Sequence, residues 1–348
     1  MATIRAISKA TNFSVATVSE ALRNTGRVKE DTRKVILEAA ERMGYQRNRF
    51  IGDVMSRMRR SQAANLKGTI AVLETQSFHK ARGYSRWHKE LFKGAVDRAE
   101  DLGFKVEFFQ FENRSRSLKR LQQVLYTRGV EGVLLPPYVH TWNLDGIDWN
   151  CYSAVQLDYG LAKVRMHTVL PDHHHTLSNS LSRLEKMGYR RPGLFVERFQ
   201  DDRILMKWLA GYTAFQNRST LCEGIPVFEP KEIYKENFME WFEAYRPDVV
   251  VGHRSEVIEW LEEVGLSVPE DVGFFSLNLH HTDRKTAGLN LRPDLLGVAA
   301  IEVLVSQIHM QKRGVPKIAY TTSLEGEWVD GDTLKAIEAD GDSASKSR

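Results

Sequence analysis

Apolar positions in the first 45 residues recur at the three- and four-residue spacing of amphipathic helices. Ile4 and Ile7 mark a first helix that Thr3 can cap, and Ala10 extends its stripe. Ser14 stands where an N-cap opens a second helix from Val15 to about Leu22, with Val18, Ala21 and Leu22 facing inward. After the turn Asn24-Thr25-Gly26, a third helix over 30–43 places Val35, Ile36, Ala39, Ala40 and Met43 at helical spacing, with Gly44 fitting its C′ position. From residue 67 the pattern changes. Short apolar runs at 69–74, 105–110, 132–135, 152–157, 167–170, 193–197, 249–252 and 272–277 alternate with amphipathic stretches at 87–102, 115–128, 173–187, 204–218, 235–245, 255–264 and 295–312. Further strands are expected near 318–322 and 327–330. Buried strands alternating with helices predict an α/β body built on doubly wound parallel sheets behind an all-α head.

Charge separates the same two regions. The chain of 348 residues has a formal net charge of only +4, yet residues 1–67 hold 14 Lys and Arg against 6 Asp and Glu, a net of +8. The remainder is net −4. A basic head on a near-neutral body points to nucleic acid as its partner, the alternative being a solvated basic surface. Two cysteines, Cys151 and Cys222, cannot form a disulfide framework or a four-thiolate zinc site, and suit a reducing cytoplasm. The longest apolar run is too short for a transmembrane helix, and no secretory signal is evident, so a cytoplasmic location without membrane attachment is expected.

Two short helices joined by a tight turn form a helix-turn-helix, whose second helix enters the DNA major groove with its N-terminal side chains on base edges. Those side chains are Val15, Ala16, Thr17, Ser19 and Glu20. The hydroxyls can bond bases or phosphates, Val15 and Ala16 can touch a thymine methyl, and Glu20 can accept from cytosine N4. Arg23, Arg27, Lys29, Arg33 and Lys34 are candidates for neutralising the sugar–phosphate backbone, and Thr3, Ser14 and Asn24 complete the expected DNA-binding set of the head. A three-helix domain used for protein contacts is the competing reading.

The residues Thr3-Ile4-Arg5-Ala6-Ile7-Ser8, Ser14-Val15-Ala16-Thr17-Val18-Ser19, Ala21-Leu22-Arg23-Asn24, Val28-Lys29-Glu30-Asp31-Thr32-Arg33, Ala40, Met43-Gly44-Tyr45 and Asn48 resemble the LacI/GalR family of bacterial transcription regulators. The resemblance extends across essentially the whole chain. It implies a homodimeric, repressor-like protein that binds a palindromic double-stranded operator under the control of a small-molecule effector, a sugar or related metabolite. It also implies a hinge helix over 47–55, in which Asn48 and Arg49 meet the backbone and an apolar side chain wedges into the minor groove. Val54 falls at the wedge position, with Met55 beside it. Arg47 replaces the family's proline, Val54 replaces its leucine, and Gly52 lowers helix propensity by about 1 kcal/mol, so this hinge is expected to fold on DNA. A plain basic linker is the competing reading.

The implied organisation is a helix-turn-helix domain at 1–46, hinge and linker at 47–65, a periplasmic-binding-protein-like body at 66–335 and a disordered tail at 336–348. The first subdomain takes about 66–160 and 291–322, and the second about 161–290 and 323–335. The chain then crosses between them near 159–163, 289–292 and 322–324. In open parallel sheets ligands bind beyond the carboxyl ends of the strands. That rule selects Thr75, Gln76, Ser77, Pro137, Tyr138 and Asp158 on the first subdomain and Asp172, His173, Phe199, His253, Arg254 and Asn278 on the second, with Trp208 on a helix beside the cleft. Three of these depart from the family. Trp208 stands where many sugar-responsive members have arginine, His253-Arg254 replaces an Asn-Asp pair, and Asn278 replaces an aspartate. An aromatic face can still stack on a sugar ring. The alternatives are another polar metabolite, a regulator of this architecture without effector control, or a cytoplasmic sugar-binding protein with an incidental basic head.

No enzyme chemistry or cofactor is expected, because phosphate-loop, dinucleotide-binding and nucleophile-elbow strings are absent. His173-His174-His175 does not read as a metal site, since adjacent helical residues point about 100° apart.

Overall fold

A computed structural model describes residues 4–23, 28–43, 68–75, 78–80, 85–111, 115–137, 144–160, 164–281 and 284–335. The chain divides into two compact units, Met1–Asn65 and Leu66–Arg348.

The first unit contains α1 (Ile4–Thr11), α2 (Val15–Arg23) and α3 (Glu30–Arg42). Ile7, Val18, Ala21, Ile36, Ala39 and Ala40 form its core, with Phe13, Leu22 and Val28 packed against it. Asn12 turns the chain between α1 and α2 in the left-handed region, which Asn tolerates better than most residues. Ser8 Oγ donates to the Phe13 carbonyl at 2.6 Å and closes that turn. Val35 and Met43, expected to face inward, are exposed. Val35 lies about 100° around the helix from Ile36, and Met43 follows the last helical residue.

The second unit holds two sheets. The first has the order β10-β5-β4-β3-β1-β2 and is parallel throughout: β1 (Gly68–Thr75), β2 (Phe104–Phe111), β3 (Val130–Leu135), β4 (Ser153–Leu157), β5 (His167–Pro171) and β10 (Thr321–Leu324). α4 (Arg86–Asp101), α5 (Ser115–Thr127) and α11 (Pro293–His309) cover it. Ser85 caps α4, and Trp87, Leu91, Phe92, Ala95 and Ala99 give that helix its buried stripe. α4 and α11 approach closely at two glycines. A Cβ on Gly94 would lie 2.1 Å from the Asp294 carbonyl oxygen, and one on Gly297 would lie 2.0 Å from that of Leu91. Glycine is required there by the backbone approach itself.

The second sheet has the order β11-β9-β8-β7-β6: β6 (Pro192–Phe195), β7 (Val249–Gly252), β8 (Gly273–Ser276), β9 (Gly288–Asn290) and β11 (Glu327–Val329), which alone runs antiparallel. It is flanked by α6 (His173–Lys186), α7 (Arg198–Arg203), α8 (Lys207–Arg218), α9 (Lys235–Tyr245) and α10 (Val257–Glu263).

Two elements differ from the sequence expectation. β5, assigned to the second subdomain, pairs with β4 and β10 in the first sheet, so the chain first crosses after Pro171 rather than over 159–163. Its periodicity identifies a strand but carries no information about which sheet receives it. The helix expected over 204–218 begins only at Lys207, as α8, and is preceded by a separate short helix, α7, that the pattern did not predict. Leu205 and Met206 between them both adopt left-handed backbone, with φ 60° and 55°. No helix among the described residues is long and apolar enough to cross a membrane.

Candidate functional site

The start of α2 is built by its own sequence. Ser14 Oγ accepts from the Thr17 backbone N–H at 3.1 Å and lies 2.8 Å from Thr17 Oγ1, so the two hydroxyls fix the first turn. Val15 is 47% exposed, an apolar side chain presented to solvent at the N-terminus of the helix. Thr17 and Glu20 are half-buried, and Lys29 is exposed. Arg33 lies back on α3, 3.5 Å from Glu30. The side chains of Ala16, Ser19 and Arg23 lie outside the described residues, as do Thr3, Asn24, Arg27, Asn48, Arg49, Val54 and Met55.

In the second unit a cavity of about 770 Å³ runs along β4, β5 and β10 and reaches α6, α7 and the start of α8. Gln156, Asp158, Tyr159, Asp172, His173, Phe199, Arg203, Leu205 and Lys207 line it. Asp158 follows β4 in left-handed backbone, φ 54°, and is buried. Its Oδ2 accepts from Arg203 Nη1 at 3.0 Å, which links the two subdomains across the cleft. Its Oδ1 has no partner among the described residues. Asp172 caps α6 by accepting from the His175 N–H at 3.1 Å. Burial and the neighbouring Asp158 push the Tyr159 hydroxyl up to about 12, so it stays a neutral donor.

Beside the cavity the side chains are packed. His173 meets Trp208 edge to face with centroids 5.4 Å apart, and Trp208 stacks on His253 at 6.2 Å. His253 Nε2 lies 3.3 Å from Glu197 Oε2, and Arg254 donates to Glu197 Oε1 at 3.2 Å. The hydrogen bond from His253 leads the causes that hold Glu197 down at about 2. Burial lowers His173 to about 4 and keeps its ring neutral. Both ring nitrogens of His173, Nε1 of Trp208 and Nδ1 of His253 have no hydrogen-bond partner among the described residues. Asp201, fully buried, accepts from the backbone N–H groups of Trp208 and Leu209, each at 3.0 Å, and so anchors the α7–α8 turn.

A model for bacterial regulatory proteins of the lacI family matches residues 3–48, and one for a periplasmic binding protein-like domain matches residues 181–334. The chain thus pairs a lacI-type helix-turn-helix domain with a periplasmic binding protein-like domain. It is 21% identical over 334 residues to the transcriptional repressor PurR of Actinobacillus pleuropneumoniae serotype 3 (strain JL03), covering 90% of this chain and 93% of PurR. It is 24% identical over 214 residues to the transcriptional regulator AscG of Escherichia coli (strain K12), covering 61% of this chain and 60% of AscG. Its fold is similar to that of the transcriptional regulator CelR in complex with cellobiose, with a TM-score of 0.59, 17% identity, and coverage of 96% of this chain and 100% of that one. This pairing is that of a transcriptional regulator with a DNA-binding helix-turn-helix and an effector-binding domain. Members of the family are transcriptional regulators and not enzymes.

Of the residues selected from the sequence, Asp158, Asp172, His173 and Phe199 line the cavity, whereas Trp208, His253 and Asn278 do not. Trp208 and His253 are consumed by mutual stacking, and Asn278 accepts from the His280 N–H at 3.1 Å. His280 Nε2 in turn lies 2.9 Å from Glu90 on α4, a second link between the subdomains. Gln76, Ser77 and Tyr138 lie outside the described residues. Sequence reasoning missed Tyr159, Arg203 and Lys207. Arg203 was hidden because α7 was not foreseen, and the hint was the acidic and basic run Asp201-Asp202-Arg203 before an apolar stretch. Among the described residues no group of three or more His, Cys, Asp or Glu is placed to hold a metal ion, and of the three consecutive histidines only His173 is buried.

Proposed function

We propose that the chain is a homodimeric repressor that binds a palindromic operator through α2 and is controlled by a small molecule in the cleft. The observation that carries the DNA reading is the capped N-terminus of α2, which presents Val15 to solvent while Val18 and Ala21 hold the opposite face in the core. In this reading Val15, Ala16, Thr17, Ser19 and Glu20 meet base edges. Thr3, Ser14, Arg23, Asn24, Arg27, Lys29 and Arg33 meet the backbone. Asn48 and Arg49 anchor a hinge whose Val54 or Met55 enters the minor groove. Val15→Glu should abolish operator binding while leaving the fold intact, because Val15 lies outside the core. Retention of wild-type affinity by that variant would contradict the assignment of α2.

The effector, a sugar or related metabolite, is proposed to bind in the 770 Å³ cavity between Asp158, Tyr159, Asp172, Arg203 and Lys207. What supports this is the set of buried, unpartnered polar atoms on Asp158 and His173, which line the cavity and which a hydroxyl-rich ligand can satisfy. A thermal-shift panel of neutral and phosphorylated sugars, nucleobases and amino acids tests it, since a bound ligand raises the transition by mass action. One observation favours a regulator without small-molecule control: Trp208 and His253 are spent on each other and withdrawn from the cavity. A panel without a single shift would support that second reading.

A further inference from the structure

Because the first sheet is parallel throughout, its strands all begin at one end, opposite the cleft. Gly68, where the chain arrives from the DNA-binding head, lies at that end. The segment 310–320 does too, because it leads from the C-terminus of α11 into the start of β10. Two hydrogen bonds fix it there, beside the start of β4. Gly314 N–H donates to the Tyr152 carbonyl at 3.0 Å, and Ser153 Oγ donates to that of Lys312 at 2.8 Å.

This loop carries Lys312, Arg313 and Lys317, all exposed, and the sequence has no Asp or Glu between Glu302 and Glu325. Neighbouring cations at the same end are neutralised locally. Lys105 lies 2.7 Å and Arg128 3.7 Å from Glu107. The loop cations make no such ion pair among the described residues, and Asp148, on the adjoining segment, is occupied in capping the turn Trp149–Cys151. Three uncompensated charges held on an anchored loop, at the end of the subdomain joined to the head, match a polyanion. We propose that Lys312, Arg313 and Lys317 form a second DNA contact, neutralising backbone phosphates when the head is on its site. This rests on the reading of the chain as an operator-binding regulator and adds to it a contact made by the effector-binding unit. Val315 and Ile318, both exposed, stand between the cations. An acidic protein partner would use that apolar surface, and the experiment separates it from DNA.

The test is the salt dependence of operator binding by the full-length chain, comparing wild type with Lys312→Gln/Arg313→Gln/Lys317→Gln. Each phosphate contact contributes about 0.9 to the slope of log affinity against log salt. In the dimer six contacts are lost, so the slope should fall by about 5.4 and the affinity lost between 50 and 200 mM salt should shrink roughly 2,000-fold. Lys119→Gln/Arg120→Gln removes two exposed cations near the opposite end of the subdomain, in the first turns of α5, and should leave the slope unchanged. A triple variant with the wild-type slope, or an equal change in the α5 variant, would overturn the proposal and leave the regulator reading standing. A wild-type chain that selects no DNA would overturn both.

Discussion

His173 is buried, packed against Trp208, and held neutral with a pKa of about 4. In the unfolded chain an imidazole titrates near 6.5. The folded value is the lower one, so the unfolded state takes up the proton first. Above about pH 6.5 the residue carries no penalty. As pH falls from 6.5 to 4 the folded state loses stability at up to 1.36 kcal/mol per pH unit, and the loss levels off at about 3 kcal/mol. His173→Phe keeps an aromatic ring against Trp208 and removes the titration. The variant should match or exceed wild-type stability at pH 7, since neither ring nitrogen has a partner to lose. Between pH 7 and pH 4 its unfolding free energy should fall by about 3 kcal/mol less than that of the wild type. Urea denaturation followed by tryptophan fluorescence at several pH values measures this. Other acid-sensitive groups, such as Glu197, act equally in both proteins and cancel in the difference. Superimposable pH profiles would refute the assignment of a buried neutral imidazole. A variant weakened by several kcal/mol at pH 7 would show that the ring nitrogens are bonded.

Gly297→Ala should cost about 1–3 kcal/mol, because its Cβ would meet the Leu91 carbonyl; chemical denaturation measures it, and a neutral outcome would mean that α4 and α11 are less closely packed. Ser14→Ala should weaken the head by about 1 kcal/mol through loss of the cap on α2, visible as a lower helical melting temperature of that unit and a matching loss of DNA affinity. Asp201→Ala leaves the N–H groups of Trp208 and Leu209 without their acceptor and should cost about 1–3 kcal/mol, with a changed near-ultraviolet dichroism from the displaced Trp208; an unchanged spectrum would argue against Asp201 as the anchor of that turn.

The head was legible because its signals are local. Ser14 caps within one turn, and Val18 and Ala21 repeat at helical spacing, so hydrogen bonds and core follow from adjacent residues. The alternating body was legible for the same reason. The destination of β5 was not, since pairing with β4 and β10 is a long-range choice that its own apolar run does not encode. The cleft was legible only in part. The strand-end rule finds Asp158, Asp172, His173 and Phe199, but it cannot tell a side chain that faces the cavity from one engaged by a neighbour. His253 was selected as a strand-end residue and Trp208 for its helix beside the cleft, and the two are held by each other. Arg203 enters the cavity from α7, a six-residue helix that Leu205 and Met206, both in left-handed backbone, separate from α8.

Enrichment of double-stranded DNA from a random-sequence pool by the full-length chain tests the central claim most directly. The account predicts one motif with two-fold symmetry, two half-sites each read by one α2, and an affinity for it that falls steeply with salt. A pool that stays unenriched, or a motif without two-fold symmetry, would contradict it.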